Sequence, residues 1–359
     1  MGRILFHMDN SNPTTTEEIG SVGQMTELTK DQLWELERNR RSKGQNTRDF
    51  LVSLLPFAAF CISLGEYLWI PDKYTNKNPE RYIILLVIPL AVYLVRWIRS
   101  LVLYRRGNRQ NFAKVHHKAP FLSAIYILLA VFDWATLKTG YLLYPFIPWI
   151  NDIINATILD RKQLAICTLY SLRLLLLGYL SGSFLGLITG VACGYSPKVN
   201  YWISPIVKVL GPIPTATWIP LIMLLVQSLV AGSIFIVGLG AWFAVTVATT
   251  TGISNVDRDY LEAARTLGAS ERQLVFRIAI PGAMPNILQG MTQAMSSSCV
   301  SLIIAEMMGV KAGLGWYITW SKSWAAYNKM FSAIIIICIV FNLVTRIVEL
   351  IRKRLLRWQ

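Results

Sequence analysis

Ionisable and metal-binding residues are scarce in this 359-residue sequence. Charged residues make up 15%, against about a quarter in soluble domains, and the chain has only three histidines and five scattered cysteines. The adjacent pair His116–His117 cannot face one another on a helix. We therefore expect no metal site. The sequence also shows no nucleophile–base or metal-ligand constellation of an enzyme.

Two long stretches carry no Asp, Glu, Lys or Arg, Val209–Val256 and Gly282–Ala305. A 24-residue helix is roughly 36 Å long, and the hydrocarbon core of a bilayer is about 30 Å thick. The longer stretch can therefore cross twice, with a turn near residues 227–232. Because hydrophobic residues also reach 54%, we expect an all-α, polytopic helical membrane protein.

The apolar runs predict about eight spans. They lie near residues 50–70, 82–103, 120–138, 164–193, 200–227, 230–252, 282–306 and 330–350. Asp133 and Lys138 interrupt the third span, and we expect Glu66 and Asp133 to lie at a membrane interface. The segment Tyr141–Ile150 contains two prolines and is too short to cross, so it is expected to be interfacial or re-entrant.

The net charge of +15 is concentrated in three clusters, within residues 38–43, 105–118 and 352–357. Eight spans with both termini inside would put all three clusters in the cytoplasm, as the positive-inside rule predicts. We expect no nucleic-acid role, because no basic patch is interleaved with stacking aromatic residues.

A polar island at about 257–281 separates two of the predicted spans and also falls on the cytoplasmic side. Its apolar residues recur at helical spacing, at Tyr260, Leu261, Ala264 and Leu267. Gly268 stands where a helix C-cap is expected, and Ser270 with Gln273 resembles a capping box for a second helix. Pro281 is expected to end that helix. The pattern predicts a helix–turn–helix where a soluble partner could approach.

The same residues resemble the EAA loop of ABC-importer permeases. The chain matches the spacing of this motif: Glu262-Ala263-Ala264, then three residues and Gly268, then nine residues and Ile278-x-Ile280-Pro281. Ile280 stands in place of the usual Leu. Other motifs resemble the nitrate/sulfonate/taurine/bicarbonate branch: Ser171-Leu172-Arg173 with Gly178, Pro212-Ile213-Pro214 with Pro220, Pro285, Gly290, Ala305-Glu306-Met307 and Gly313-Leu314-Gly315. The resemblance runs from roughly Pro120 to the C-terminus.

The resemblance implies a type I ABC-importer permease core of six spans at residues 105–359. A cytoplasmic polar segment, 1–48, and two additional spans, 49–104, would precede it. The chain lacks a Walker A motif, so ATP and Mg would be bound by a separate ATPase subunit. The other implied partners are an extracytoplasmic substrate-binding protein, which would deliver a small anion or organic solute, and a second permease, expected to be the same chain. The implied location is a prokaryotic cytoplasmic membrane.

Coupling to the ATPase is the role that the resemblance implies for the EAA loop. Glu262 would supply charge or hydrogen bonds, Ala263 and Ala264 would allow close packing, and Gly268 would set the turn. Tyr260, Leu261, Leu267 and Pro281 complete the predicted coupling set.

Candidate pathway residues come from three predicted spans. Arg173 could attract an anion, or it could snorkel or pair with a carboxylate. Glu306 is expected to act in a gate or in structural hydrogen bonds. Gln289, Gln293 and Ser297, with neighbouring serines, could line a pathway, and helix packing explains them equally well.

Glycine and proline mark two further features. Gly211, Pro212 and Pro214 should break the fifth span. They are a second group of pathway candidates, because a broken helix is tolerated where its backbone lines a cavity or is buried in protein. Glycines spaced by four on the fourth span, from Gly182 to Gly194, form a smooth face for close helix packing, either within the subunit or in a dimer.

An ion-coupled secondary transporter or channel is the main alternative. It would favour acidic or histidine relay residues at mid-span and repeated sequence halves. We find neither, and this alternative leaves the polar island unexplained.

Overall fold

The computed structural model describes residues 43–105, 110–211 and 213–357, and every regular element within them is helical. Most of the predicted segment 1–48, part of the second basic cluster and Pro212 lie outside the described residues. The fold-class prediction is confirmed: the described chain is all-α and carries several membrane-length helices.

Thirteen α-helices follow one another in the described residues. They are α1 Lys43–Trp69, α2 Glu80–Arg105, α3 Gln110–Asp133, α4 Ile150–Leu159, α5 Arg161–Tyr195, α6 Pro197–Leu210, α7 Ile219–Leu225, α8 Leu229–Ser254, α9 Arg258–Thr266, α10 Glu271–Gln273, α11 Ile280–Met307, α12 Leu314–Ser323 and α13 Tyr327–Leu355. Seven helical runs are long and apolar enough to cross a membrane, or eight if one bent pair is a single span. This agrees with the predicted number.

The described chain divides into two compact units. One contains the described parts of residues 1–58 and 94–123. Its aromatic centre is Trp97, whose indole N–H donates to the Ser53 hydroxyl at 3.1 Å, and Phe57 meets the Trp97 ring edge-on at a centroid distance of 5.8 Å.

The second unit contains residues 59–93 and the described part of 124–359. Its core lies between α5, α8 and α11, where buried apolar side chains of the three helices meet. They include Leu174, Leu175, Tyr179, Val237, Ala241, Val245, Ala294, Met295 and Leu302. These three helices form the centre of the second unit's core.

Glycines allow α5 and α8 to approach closely. A Cβ atom built on Gly182 would lie 2.1 Å from the Gly238 carbonyl oxygen, and one on Gly190 would lie 2.5 Å from the Thr249 Cβ. The predicted glycine face of α5 is therefore filled by α8 of the same chain. Of the two packing alternatives, the structure selects packing within the subunit.

The fifth predicted span is broken, as its glycine and prolines predicted. The α6 helix ends at Leu210, a 3-10 turn follows at Thr215–Trp218, and α7 continues in a sharply different direction. The Thr215 and Ser301 hydroxyls form a hydrogen bond of 2.6 Å, which fixes the irregular segment against α11. The backbone at the break is thus supported by protein, as a broken membrane helix requires.

One local prediction is wrong. Pro281 does not end a helix: a π-helical turn at Leu274–Ala279 precedes it, and the helical run continues from Glu271 to Met307. The wider turn accommodates the missing proline N–H.

Two other predictions concern depth in the membrane and stay predictions. Asp133 is fully buried in protein, and the carboxylate oxygens of Glu66 are buried as well. The 141–150 segment contains no membrane-length helix, and the short helix α4 begins at its last residue, Ile150.

Candidate functional site

The α9 helix carries the Glu-Ala-Ala motif and contains no buried residue. Its start is capped by the Asp257 carboxylate, which accepts a hydrogen bond of 3.0 Å from the Asp259 N–H, and both acidic groups complement the helix dipole. The exposed members of the predicted coupling set are Tyr260, Glu262, Ala263, Leu267 and Gly268; the half-buried members are Leu261, Ala264 and Pro281. The helix is held at its ends and open along its length.

Gly268 ends α9 with the backbone geometry that the sequence predicted. Its φ angle is +82°, in the left-handed region that favours glycine. The Gly268 N–H donates to the Arg265 carbonyl at 2.9 Å, and the Ala269 N–H donates to the Ala264 carbonyl at 3.0 Å. These two bonds form a Schellman motif. A Cβ atom at Gly268 would meet no atom within 4 Å, so the turn is open to an approaching surface.

The second helix of the motif begins at Ser270. The Ser270 N–H donates to the Gln273 side-chain oxygen at 2.8 Å, which is one half of the predicted capping box. Glu271 ties the turn to its surroundings: it lies 3.6 Å from the Arg265 guanidinium and accepts a hydrogen bond from the Tyr195 hydroxyl at the end of α5. The predicted helix–turn–helix is therefore present.

Three large apolar side chains stand exposed on this motif. Tyr260 is 68% exposed, Leu267 is 88% exposed and Phe276 is 69% exposed. Exposed apolar side chains grouped on one element mark an interaction surface. Sequence analysis missed Phe276, because a π-helical turn displaces it from the positions that a regular helical period assigns.

Buried residues behind the motif anchor it to the core. Leu274 and Ala279 of the π-helical turn are at most 1% exposed. Ala279 joins a cluster with Ile253 at the end of α8 and Ile287 on α11. The motif is therefore packed against two long helices, α8 and α11.

The far end of α11 holds a buried carboxylate. Glu306 is 1% exposed and accepts hydrogen bonds from the Ser171 hydroxyl on α5, at 2.7 Å, and from the Gly315 N–H, at 2.8 Å. The Ser171 hydroxyl accepts in turn from the Leu314 N–H at 2.9 Å. Of the predicted roles for Glu306, these contacts fit structural hydrogen bonding.

The remaining pathway candidates do not form one cluster. Arg173 is exposed on α5, and Gly211 packs so closely on Phe243 that a Cβ atom would lie 2.3 Å from its ring. Gln289 and Gln293 share an exposed face of α11, and Gln289 accepts a hydrogen bond from Arg352.

Pro214 and Ser297 complete the predicted pathway set. Pro214 is exposed beside the break in the fifth span, and the Ser297 hydroxyl donates to its own helix, at the Ala294 carbonyl. Pro212 lies outside the described residues. Neighbouring Ser298 is buried and donates to the Val237 carbonyl of α8 at 3.4 Å, so the serine row contributes in part to helix packing.

A cavity of about 950 Å³ opens at the end of α5 opposite the helix–turn–helix. Basic side chains outnumber acidic ones in its lining, with Lys77, Arg81, Arg161, Lys162 and Lys329 against Asp152 and Asp160. None of the pathway candidates that the structure describes lines this cavity. Sequence analysis missed it because its walls come from three separate loops and helix ends.

The pKa values of two carboxyl groups in the cavity wall are shifted in opposite directions. Burial raises the pKa of Asp152, and the Asn328 amide that bonds to it only partly offsets that effect. Burial also acts to raise the pKa of Asp160, but hydrogen bonds from Lys329, at 2.8 Å, and Tyr317, at 2.7 Å, outweigh it and lower the pKa. Asp160 thus remains a carboxylate in a firm ion pair.

Comparison with solved structures finds inward-facing MetNI methionine ABC transporters, at 18% identity and a TM-score of 0.47, over 55% of this chain and 96% of the other. An amino acid ABC transporter crystallised with histidines is 19% identical, with a TM-score of 0.48, over 57% of this chain and 98% of the other.

Sequence comparison gives closer matches. A Bacillus subtilis protein named as an aliphatic sulfonates transport permease is 33% identical over 51% of this chain and 66% of its own length. A Methanocaldococcus jannaschii protein named as an ABC transporter permease is 30% identical over 48% of this chain and 67% of its own length. The taurine transport system permease of Escherichia coli is 27% identical over 46% of this chain and 62% of its own length. The chain thus spans about two thirds of the length of these relatives.

A family assignment covers the exposed motif and the helices behind it. Residues 182–357 match the family described as the binding-protein-dependent transport system inner membrane component. This region includes α8, the helix–turn–helix and the whole of α11. The chain belongs to this family and is a permease of the ABC-importer type, in the branch of the sulfonate, nitrate, taurine and bicarbonate permeases.

Proposed function

We propose that this permease couples solute import to ATP hydrolysis by a separate cytoplasmic ATPase, which binds the helix–turn–helix around Gly268. The observation that carries the proposal is that α9 contains no buried residue, with exposed Tyr260 and Leu267 presenting apolar surface. Small side chains at Ala263 and Gly268 leave the backbone open to close approach. A partner with a matching cleft would bury this surface.

The connection to the spans supports a mechanical role. From Glu271 to Met307 the chain is one helical run of 37 residues, roughly 55 Å long at 1.5 Å per residue. One end lies in the exposed motif, and the other holds Glu306 in its hydrogen-bonded site. Movement of α9 with the ATPase would therefore displace α11 as a rod, and ATP would bias the spans between inward-open and outward-open states.

Leu267→Arg tests the docking surface with little risk to folding. Leu267 is 88% exposed, so the substitution removes no internal packing. Affinity-purified permease from native membranes should lose co-purifying ATPase and its nucleotide hydrolysis. The matched control is Leu143→Arg, which changes another exposed leucine, 72% exposed, in the loop before α4. The control should keep the ATPase; equal retention by both variants would contradict the proposal.

The cavity at the opposite end of the molecule and the relatives' names both support a proposal for the substrate class. Those relatives are named for sulfonates, nitrate, taurine and bicarbonate. The cavity lining contains five basic side chains and two acidic ones. This excess of positive charge supports a small anionic solute. We therefore propose that an external binding protein delivers such a solute at this end, and that a second permease, the same chain, completes the pathway.

Charge reversal in the cavity tests the substrate assignment. Arg161→Glu in reconstituted transporter should weaken uptake of labelled taurine or nitrate while the ATPase stays bound. Lys198→Glu serves as the control, because Lys198 is exposed at the start of α6, outside the cavity. Equal uptake by the two variants would argue against an anionic solute at this cavity.

A further inference from the structure

Four side chains in the second unit place buried oxygen atoms close together without hydrogen-bond partners in the described protein. They are the hydroxyls of Ser63 and Tyr82 and both carboxylate oxygens of Glu66 and Asp133. Ser63, Tyr82 and Asp133 are 0% exposed. Buried polar groups are nearly always hydrogen-bonded, so this cluster requires an explanation that the importer function does not supply.

The four groups belong to one site built by α1, α2 and α3. Ser63 and Glu66 are three residues apart, which places them on one face of α1. The Tyr82 hydroxyl on α2 lies within electrostatic reach of both carboxyl groups and approaches the Ser63 hydroxyl without completing a hydrogen bond. Asp133 and Glu66 also repel one another.

Lys138 stands near the cluster but does not neutralise it. Its ammonium donates to the Tyr67 carbonyl at 2.7 Å, the Ile70 carbonyl at 2.7 Å and the Asp72 carboxylate at 2.6 Å. An ammonium has three donors, so none is left for Glu66 or Asp133. The Asp72 charge, which also acts on both carboxyl groups, partly offsets the attraction of Lys138.

The other titratable groups facing the site do not supply positive charge. Tyr67 on α1 is neutral at ordinary pH, and Glu80 at the start of α2 is acidic. Two ionised carboxylates side by side in a buried, membrane-length helical site would be very costly, and such groups take up protons instead.

A proton fits the site better than a metal ion. In the part of the chain that the structure describes, no group of three or more His, Cys, Asp or Glu side chains could hold a metal. The Lys138 ammonium repels any added cation. A proton needs no coordination shell, and it turns each carboxylate into a donor for the oxygen atoms beside it.

We propose that Glu66 and Asp133 form a proton-binding site within the membrane-spanning helices, with Tyr82 and Ser63 as hydrogen-bond partners of the protonated carboxyl groups. The site lies mainly in the two helices that precede the expected six-span core. It gives those helices a proton-dependent junction with α3: when the protons leave, the two carboxylates repel one another and the junction loosens. The proposal does not depend on ATPase coupling.

Infrared spectroscopy of the full-length protein in lipid nanodiscs tests the proposal. At neutral pH the spectrum should contain the carbonyl stretch of protonated carboxyl groups, shifted by ¹³C labelling of aspartate or glutamate. Asp133→Asn should weaken the aspartate component, and Glu66→Gln should weaken the glutamate component. Asp72→Asn is the control and should leave the band unchanged, because Asp72 lies outside the cluster, in contact with the Lys138 ammonium at 2.6 Å.

Thermal unfolding against pH gives a second readout. The wild type should lose stability as the pH rises and protons leave the pair, and Glu66→Gln, which mimics the protonated group, should reduce this loss. If Asp133→Asn does not fold, both the infrared and the unfolding measurements can be made on Glu66→Gln. Absence of the band, an unchanged band intensity in both variants, or stabilisation by Na⁺, K⁺, Mg²⁺ or Ca²⁺ at fixed pH would overturn the proposal.

Discussion

Ser171 and Glu306 lie 135 positions apart in the sequence, yet the Ser171 hydroxyl donates to both oxygens of the Glu306 carboxylate, at 2.7 and 2.9 Å. The bond joins α5 to the end of α11. The same carboxylate accepts from the Gly315 N–H. This buried junction fixes the end of the helical rod whose other end carries the exposed motif.

Gly313→Ala should damage this junction. Gly313 has a φ angle of +121°, and a Cβ atom there would lie 2.4 Å from a Glu306 carboxylate oxygen. Backbone strain and the clash together should cost about 1–3 kcal/mol of unfolding free energy. Gly309→Ala is the matched control, because its Cβ would make ordinary contacts of 3.6 Å with Leu229. Equal melting temperatures for the two variants in detergent would contradict the described junction.

Gly182→Ala tests the close packing of α5 on α8. The added methyl group would overlap the Gly238 carbonyl, which is backbone and cannot rotate away. Separation of the helices should cost about 1–3 kcal/mol and lower the folded yield. Gly240→Ala, whose Cβ would lie 3.4 Å from its nearest neighbour, should fold normally, since alanine is also the better helix former. A folded yield for Gly182→Ala as high as that of Gly240→Ala would contradict this packing.

The Asp160 ion pair should make stability fall in acid. Its pKa is lowered in the folded protein, because hydrogen bonds from Lys329 and Tyr317 outweigh burial. The stabilisation is therefore present when the pH is above the pKa of Asp160 in the unfolded chain, about 3.9. It is lost as the pH falls through the pKa of Asp160 in the folded protein.

Melting temperatures between neutral and acid pH check this sign. Asp160→Asn should be less stable at neutral pH and show a smaller acid loss. Asp152→Asn serves as the comparison, because burial raises the pKa of Asp152; that variant should keep the acid loss. An identical acid loss in wild type and Asp160→Asn would refute the assignment.

The proposed membrane orientation places α9 in the cytoplasm and the cavity on the outer side. Cysteines introduced at these two ends should therefore be labelled under different conditions. Cysteine at Thr266, exposed in α9, should react with a membrane-impermeant maleimide only after cells are opened. Cysteine at Thr75, exposed in the loop that lines the cavity, should react in intact cells. The parent protein gives the background, since Cys61 and Cys338 are exposed in the isolated chain. Labelling of Thr266→Cys in intact cells would reverse the proposed topology.

Sequence patterns predicted the features that depend on local chemistry or on helical period. The four-residue spacing of glycines predicted the close face of α5, and Gly268 predicted its own left-handed turn. Prolines predicted the break in the fifth span. Each of these follows from backbone sterics within a few residues, so no knowledge of distant contacts was needed.

Other features depend on contacts that no local pattern encodes. The π-helical turn lets the chain pass Pro281 without ending the helix, although proline alone predicts an end. The partnership of Ser171 with Glu306 depends on how α5 meets α11. Asp133 was expected at an interface because charge is costly in apolar surroundings, and only the tertiary arrangement reveals the buried oxygen cluster around it.

Photo-crosslinking from Leu267 tests the central claim most directly. A photoreactive amino acid at this position, in the transporter assembled in native membranes, should form an adduct with the nucleotide-hydrolysing subunit. Its yield should change when ATP is bound, because the ATPase would then move α9. A probe at Leu143 should give no such adduct. Adducts from Leu267 only with lipid or with an extracytoplasmic protein would contradict the account.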